Sequence, residues 1–134
     1  MEVRKIFLET NSYSDYFRGD KKITKAISES DEVIISVITL GELYLGFKEG
    51  NRESKNLEML RDFLRDPKVK IANVTLRTSQ EYGKMKYELR KRGALIPEND
   101  IWIAAQVVET GLVLVTFDKH FLDIPGIRLW KDLK

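Results

Sequence analysis

Residues 32–48 read EVIISVITLGELYLGFK, and this stretch decides the fold. Residues 32–37 form a nearly continuous apolar run, the pattern of a strand buried on both faces as in a parallel sheet. Across residues 40–48 the apolar side chains return at helical intervals, so a strand runs directly into a helix. The same alternation continues outward in both directions. Residues 3–8 mix β-branched and aromatic side chains and read as a strand, and residues 21–30 have helical spacing through Ile23 and Ile27. A helix over 57–64 is followed by the break Asp66-Pro67 and a short strand over 69–74. Residues 78–92 read as a helix stopped by Gly93, and residues 99–110 as another stopped by Gly111. A strong buried strand over 112–117 and a short one over 128–130 complete the chain. Strands separated by helices predict a three-layer α/β/α fold with a mainly parallel central sheet. No linker-like stretch or internal repeat divides residues 1–134, which therefore read as one domain.

Composition narrows the function classes. At 43% hydrophobic and 33% charged the chain is globular, not disordered. Its 23 basic and 21 acidic residues nearly balance, so any nucleic-acid binding must come from charge placement, not net charge. With no cysteine, disulfide scaffolds, thiolate zinc sites and cysteine nucleophiles are excluded. The single histidine, His120, leaves little for a triad, and no glycine-rich phosphate loop is present. Apolar runs fall far short of membrane-spanning length, and the N-terminal stretch is too short for a signal peptide core. The expectation is a cytoplasmic protein with no membrane partner.

In sheets of this kind ligands gather beyond the C-terminal strand ends, and acids lie there. Glu9 follows the first strand, Asp118 follows the strand over 112–117, Glu42 stands early in the helix after residues 32–37, and Asp100 opens the helix over 99–110. Each also has a structural reading. Thr39-x-x-Glu42 fits a capping box; Asp100 suits a helix N-terminus behind Asn99 as cap; Asp118 suits a turn; and Glu9 suits a solvated strand end. Taken as a set, the four point to a divalent metal. Clustered carboxylates repel and drive one another to bind protons, and a hard cation such as Mg²⁺ or Mn²⁺ removes that cost. On pattern alone the structural and metal readings stand level.

Four blocks carry a resemblance. Phe7-Leu8-Glu9-Thr10-Asn11, residues 36–43 (SVITLGEL), residues 96–105 (IPENDIWIAA) and residues 114–121 (LVTFDKHF) resemble the acidic blocks of PIN domains, and most closely those of the VapC-like toxins of toxin–antitoxin pairs. The similarity runs from the first strand to the last. It implies a Mg²⁺- or Mn²⁺-dependent endoribonuclease acting on structured RNA of the tRNA or rRNA class, forming a homodimer and held inactive by a cognate antitoxin protein. Glu42, Asp100 and Asp118 take the family's second, third and fourth acidic places, while Thr10, Asn11 and Thr116 match the polar positions that orient the acids or their waters. The resemblance makes Glu9, Asp100 and Asp118 metal ligands and all four acids catalytic. Glu9 departs from the pattern, because the family's first acidic place is nearly always Asp. The extra methylene moves the carboxylate by about 1.5 Å, a displacement that can cost about a hundredfold in rate where positioning matters.

That departure motivates a rival reading, a PIN fold with weakened or lost catalysis that serves as an RNA- or protein-binding module. A receiver-like signalling domain fits less well, since Glu9 stands alone where paired acids are needed. Lys84, Lys86, Arg90, Lys91 and Arg92 make one helix basic; a solvated helix with Glu81 and Glu88 as intrahelical partners is favoured over an RNA track. His120 reads as a surface-loop histidine. Trp102, Ile103, Val107 and Val108 read as core, and Tyr13, Tyr16 and Phe17 as core or as a partner surface.

Overall fold

Side chains one residue apart on a strand point to opposite sides, and that alternation separates two cores. The computed structural model describes residues 3–133. Its sheet contains β1 (Lys5–Leu8), β2 (Glu32–Ser36), β3 (Val69–Ala72), β4 (Val113–Val115) and β5 (Arg128–Leu129). The spatial order is β3-β2-β1-β4-β5, with every neighbouring pair parallel. Leu8, Val33, Ile35 and Val115 enter one core, covered by α1 (Thr10–Phe17), α2 (Lys21–Ser28), α3 (Val37–Glu49) and α4 (Glu53–Arg65). Phe7 and Leu114 enter the other, with Ile34 packed against it, covered by α5 (Leu76–Lys91), α6 (Glu98–Thr110) and a 3-10 turn at Lys119–Asp123. This is the three-layer α/β/α arrangement with a parallel sheet. No helix among the described residues is long and apolar enough to cross a membrane.

The strand order reverses at β1. The chain moves outward to β2 and β3 and then returns to place β4 on the other flank of β1. Crossovers on the two sides diverge at such a point and open a crevice at the carboxyl ends of the strands. The two central strands therefore aim the residues that follow them, Glu9 and Asp118, at one rim.

Several boundaries differ from the sequence reading, each for a local reason. Residues 10–17, TNSYSDYF, were not legible as a helix because Thr, Asn, Ser and Asp are weak helix formers. They form α1 because Glu9 caps it, its carboxylate accepting from the Asn11 amide, and because the Tyr13 ring packs edge-on against Phe63 with centroids 5.3 Å apart. The helix after β2 begins at Val37, not at residue 40, since Ser36 is the cap, its hydroxyl accepting from the Ile38 amide at 2.9 Å. Glu42 therefore lies beyond the first turn, and the Thr39/Glu42 capping box does not form. Likewise α6 starts at Glu98 behind Pro97, not behind Asn99. Of residues 112–117, only Val113–Val115 pair as strand. Gly93 and Gly111 end their helices at φ +67° and +69°, where glycine carries no side-chain penalty.

One buried amide ties the rim together. The Ser36 hydroxyl donates to the Gln106 side-chain carbonyl, and the Gln106 amide donates to the Ala72 carbonyl at 3.0 Å. The ends of β2 and β3 are thus fastened to α6, the helix that carries Asp100. Gln106 is fully buried, so its loss strands partners that water does not reach. Gln106→Leu keeps the volume and removes both bonds; urea unfolding is expected to show a loss of about 1–3 kcal/mol, and an unchanged midpoint would contradict this role for the amide.

Candidate active site

Each of the four acids is placed by a different element, and three threonines help to hold them. Glu9 follows β1 and caps α1. It is 1% exposed, with Oε2 accepting from the Asn11 amide at 2.9 Å and Oε1 from the Thr116 hydroxyl at 2.8 Å. Asp118 follows β4 and caps the 3-10 turn, its Oδ1 accepting from the His120 amide at 2.9 Å. Its own amide donates to Thr116 Oγ1 at 2.9 Å. The buried Thr116 hydroxyl therefore accepts from Asp118 and donates to Glu9, coupling the residues beyond the two central strands. Glu42 lies on α3 with Oε1 accepting from the Thr10 hydroxyl at 2.8 Å, and Thr10 Oγ1 lies 2.8 Å from Thr39 Oγ1. Thr10 has one proton, and Glu42 takes it, so the Thr39 hydroxyl is the donor to Thr10. Asp100 sits in the first turn of α6.

All four carboxylates belong to one electrostatic cluster. Burial is the main cause that pushes the Glu9 carboxyl up to about 7. The Asn11 and Thr116 donors oppose it, and the charges of Asp100 and Asp118 add to it. Burial likewise lifts Asp100 to about 6, reinforced by Asp118 and Glu42 and countered by His120. Mutual repulsion thus reaches across all four elements.

The histidine read as a loop residue is part of this cluster. His120 Nδ1 lies 3.1 Å from Asp118 Oδ1 and 3.8 Å from Asp100 Oδ2. Asp100, Asp118 and His120 each present a ligating atom within 4.8 Å of the others. The signal available in the sequence was its position two residues after Asp118, at the mouth of a turn. Glu9 is not among these three; each of its oxygens accepts one protein hydrogen bond. Asn11 contributes its backbone amide, and its side chain is exposed. Trp102, expected in the core, is half-buried and lies flat on Tyr82 with centroids 3.9 Å apart, whereas Ile103 and Val107 are core. Tyr13 is buried, and Tyr16 and Phe17 extend its aromatic cluster to the surface.

The donor set fits a divalent cation. Carboxylate oxygens with one imidazole nitrogen suit a hard or borderline ion, and such a charge relieves both the burial and the added repulsion that raise two of the acids. A family model described as PIN domain matches residues 6–127. The chain belongs to the PIN-domain family. Ribonuclease VapC2 of Haemophilus influenzae is 36% identical to it over 85 residues, a span that covers 63% of each protein and so under two thirds of that relative. The tRNA(fMet)-specific endonuclease VapC of Salmonella typhimurium is 29% identical over 101 residues, 75% of each. The solved structure of DNA-bound VapBC from Salmonella typhimurium contains a chain that superposes with a TM-score of 0.86 at 26% identity, covering 96% of this chain and 98% of that one. PIN-domain nucleases in general require a divalent metal, and the acidic cluster of this PIN domain is of the kind that holds one.

The raised acids set a pH dependence. Both bind protons more tightly folded than unfolded, so their contribution is complete below about pH 4 and is lost as pH rises through about 6 and 7. In EDTA the protein is expected to lose on the order of 3 kcal/mol of stability between pH 5 and pH 7.5. Added Mn²⁺ should raise the melting temperature more at pH 7.5 than at pH 5, since bound metal competes with those protons. Equal metal stabilisation at both pH values would contradict this account.

Proposed function

We propose that this PIN domain is a Mg²⁺- or Mn²⁺-dependent endoribonuclease, the toxin of a toxin–antitoxin pair, that hydrolyses phosphodiester bonds in structured RNA of the tRNA or rRNA class. The observation that carries this reading is the convergence of Glu9, Glu42, Asp100 and Asp118 on one strand rim, in a family whose relatives named above are ribonucleases. A cognate antitoxin as partner is supported by the VapBC complex that shares the fold; a homodimer in the cytoplasm completes the proposal.

Asp100 and Asp118 would hold the metal, with His120 beside them and Glu9 behind Thr116 acting through water. When bound, the ion supplies an acidified water and neutralises charge on the phosphate. The protein's own contribution is placement. Thr116 fixes Asp118 against Glu9. Thr10 turns the Glu42 carboxylate so that its remaining lone pairs are free to orient an attacking water. Glu42 accepts the proton that this water gives up as its oxygen bonds to phosphorus and one P–O ester bond breaks, and the leaving oxygen takes a proton from solvent.

A second reading has its own support. Both oxygens of Glu9 are engaged by Thr116 and Asn11, which leaves this acid fewer free lone pairs for a metal. On this reading the chain binds RNA or protein without cutting. The experiment is single-turnover cleavage of total RNA in Mn²⁺. The ribonuclease reading expects cleavage abolished by EDTA and reduced at least about a hundredfold in Asp100→Asn and in Asp118→Asn. Full activity in either variant, or indifference to EDTA, overturns it. No cleavage by the wild type or by Glu9→Asp would favour the binding module.

A further inference from the structure

Beside the acidic cluster, sharing His120 with it, lies a depression lined by Lys86, Arg90, Leu95 and Pro97. Tyr82, Lys86 and Arg90 are spaced by four on α5 and so form one stripe. The first two are committed. The Tyr82 hydroxyl and Lys86 Nζ both donate to the Glu98 carboxylate, Lys86 at 2.8 Å, and the Tyr82 ring lies on Trp102. The other cations toward the C-terminal end of α5 are also engaged: Lys84 pairs with Glu81, Lys91 with Glu88, and the Arg92 guanidinium, just past the helix, donates to the Asp123 carbonyl. Arg90 alone in this group makes no ion pair or side-chain hydrogen bond among the described residues, and it faces the depression.

The opposite wall is a leucine held outward. Residues 93–97 are fixed at both ends. Gly93 turns at φ +67°, the Ala94 amide donates to the Leu89 carbonyl at 2.9 Å, Ala94 and Ile96 pack against the core under α5 and α6, and Pro97 leads into α6. Between these anchors Leu95 is 94% exposed, the highest value among the large hydrophobic residues. A scattered surface leucine needs no explanation. This one is pinned on a short anchored segment, next to an unpaired guanidinium and the acidic site.

A charge and an apolar surface in a depression that shares His120 with the acidic cluster match a nucleotide, which offers a phosphate and the flat face of a base. We propose that this depression is the subsite for the RNA nucleotide adjoining the scissile phosphate, with its phosphate on Arg90 and its base, unpaired and splayed out, against Leu95. The proposal rests on the ribonuclease reading for what lies next door. Because RNA is read mainly through unpaired nucleotides whose bases leave the stack, Leu95 selects cleavage sites in loops over those in duplex.

The test uses a labelled RNA hairpin with an unpaired loop and a fully paired duplex of equal length, with binding followed by fluorescence anisotropy in EDTA over a range of salt. Arg90→Ala should weaken hairpin binding about tenfold and reduce the dependence of log Kd on log salt by about one, and Arg90→Lys should restore that slope. Leu95→Ala should weaken the hairpin severalfold and leave the duplex unchanged. An unaltered salt slope in Arg90→Ala, or equal losses on hairpin and duplex in Leu95→Ala, overturns the proposal, as does failure of the wild type to bind either RNA. Binding that follows this pattern without any cleavage in Mn²⁺ overturns the ribonuclease reading and leaves the subsite standing; cleavage without Arg90 dependence does the reverse.

Discussion

The repulsion among four carboxylates held at one strand rim is the constraint on which the rest of this structure depends. Burial lifts Glu9 to about 7 and Asp100 to about 6, and the charges of the neighbouring acids add to that effect. A cluster of that kind costs stability, which the protein offsets mainly with specific neutral donors, with His120 beside Asp118 and Asp100. The Thr116 hydroxyl and Asn11 amide serve Glu9, the Thr10 hydroxyl serves Glu42, and the His120 amide serves Asp118. Neutral donors lower the cost of a carboxylate without cancelling its charge. The rim keeps a concentrated negative potential, which is what a cation site requires.

Those donors exist because of the topology. Thr116 reaches both Glu9 and the Asp118 amide only because β1 and β4 are neighbours, in register Leu8 to Val115, although the two segments lie more than a hundred residues apart in sequence. Pairing continues one step past the strands, where the Glu9 amide donates to the Val115 carbonyl at 3.2 Å. On the far side, Trp130 Nε1 donates to the Thr116 carbonyl at 2.6 Å, so the last strand fixes the residue that couples the acids. The site is thus rigid on the β1–β4–β5 side, and Glu42 and Asp100 reach it from helices. Gln106 closes the circuit by tying α6 to the ends of β2 and β3.

The sheet, its parallel sense and the rim were legible in the sequence because they follow from periodicity: apolar runs at 32–37 and 112–117, helices between them, and the rule for strand ends. The four acids were legible as residues and, through the rule for strand ends, as a set at one rim, but not the bonds that hold them, since pattern cannot say which strands are neighbours. What escaped was set by tertiary contact. Helix α1 has weak local propensity and stands on a glutamate cap and an aromatic contact with Phe63. The Thr39/Glu42 capping box was a sound local inference, but Ser36 won the competition because its hydroxyl also meets Gln106, seventy positions away. His120 looked like a loop residue because nothing in its neighbours announces Asp100. The basic helix α5 behaved in part as its Glu81 and Glu88 spacing predicted, with Lys84 and Lys91 paired three residues on; Lys86 instead reaches Glu98 on α6, and Arg90 makes neither kind of pair.

Glu9 is where local and functional demands meet in one side chain. Asp is the stronger helix cap because its short side chain reaches the second or third amide of the helix without strain. Glu9 still makes that bond, to Asn11, and its extra methylene lets its other oxygen meet the Thr116 hydroxyl. The carboxylate is therefore drawn back toward the protein and satisfied there, while Asp100, Asp118 and His120 hold the three ligating atoms that approach one another most closely. In this arrangement Glu9 shapes the field of the rim and fixes the start of α1. Were a divalent ion bound, the longer acid would leave more of its coordination to the other residues of the rim, a redistribution that the near-ideal octahedral demand of Mg²⁺ would tolerate less well than Mn²⁺.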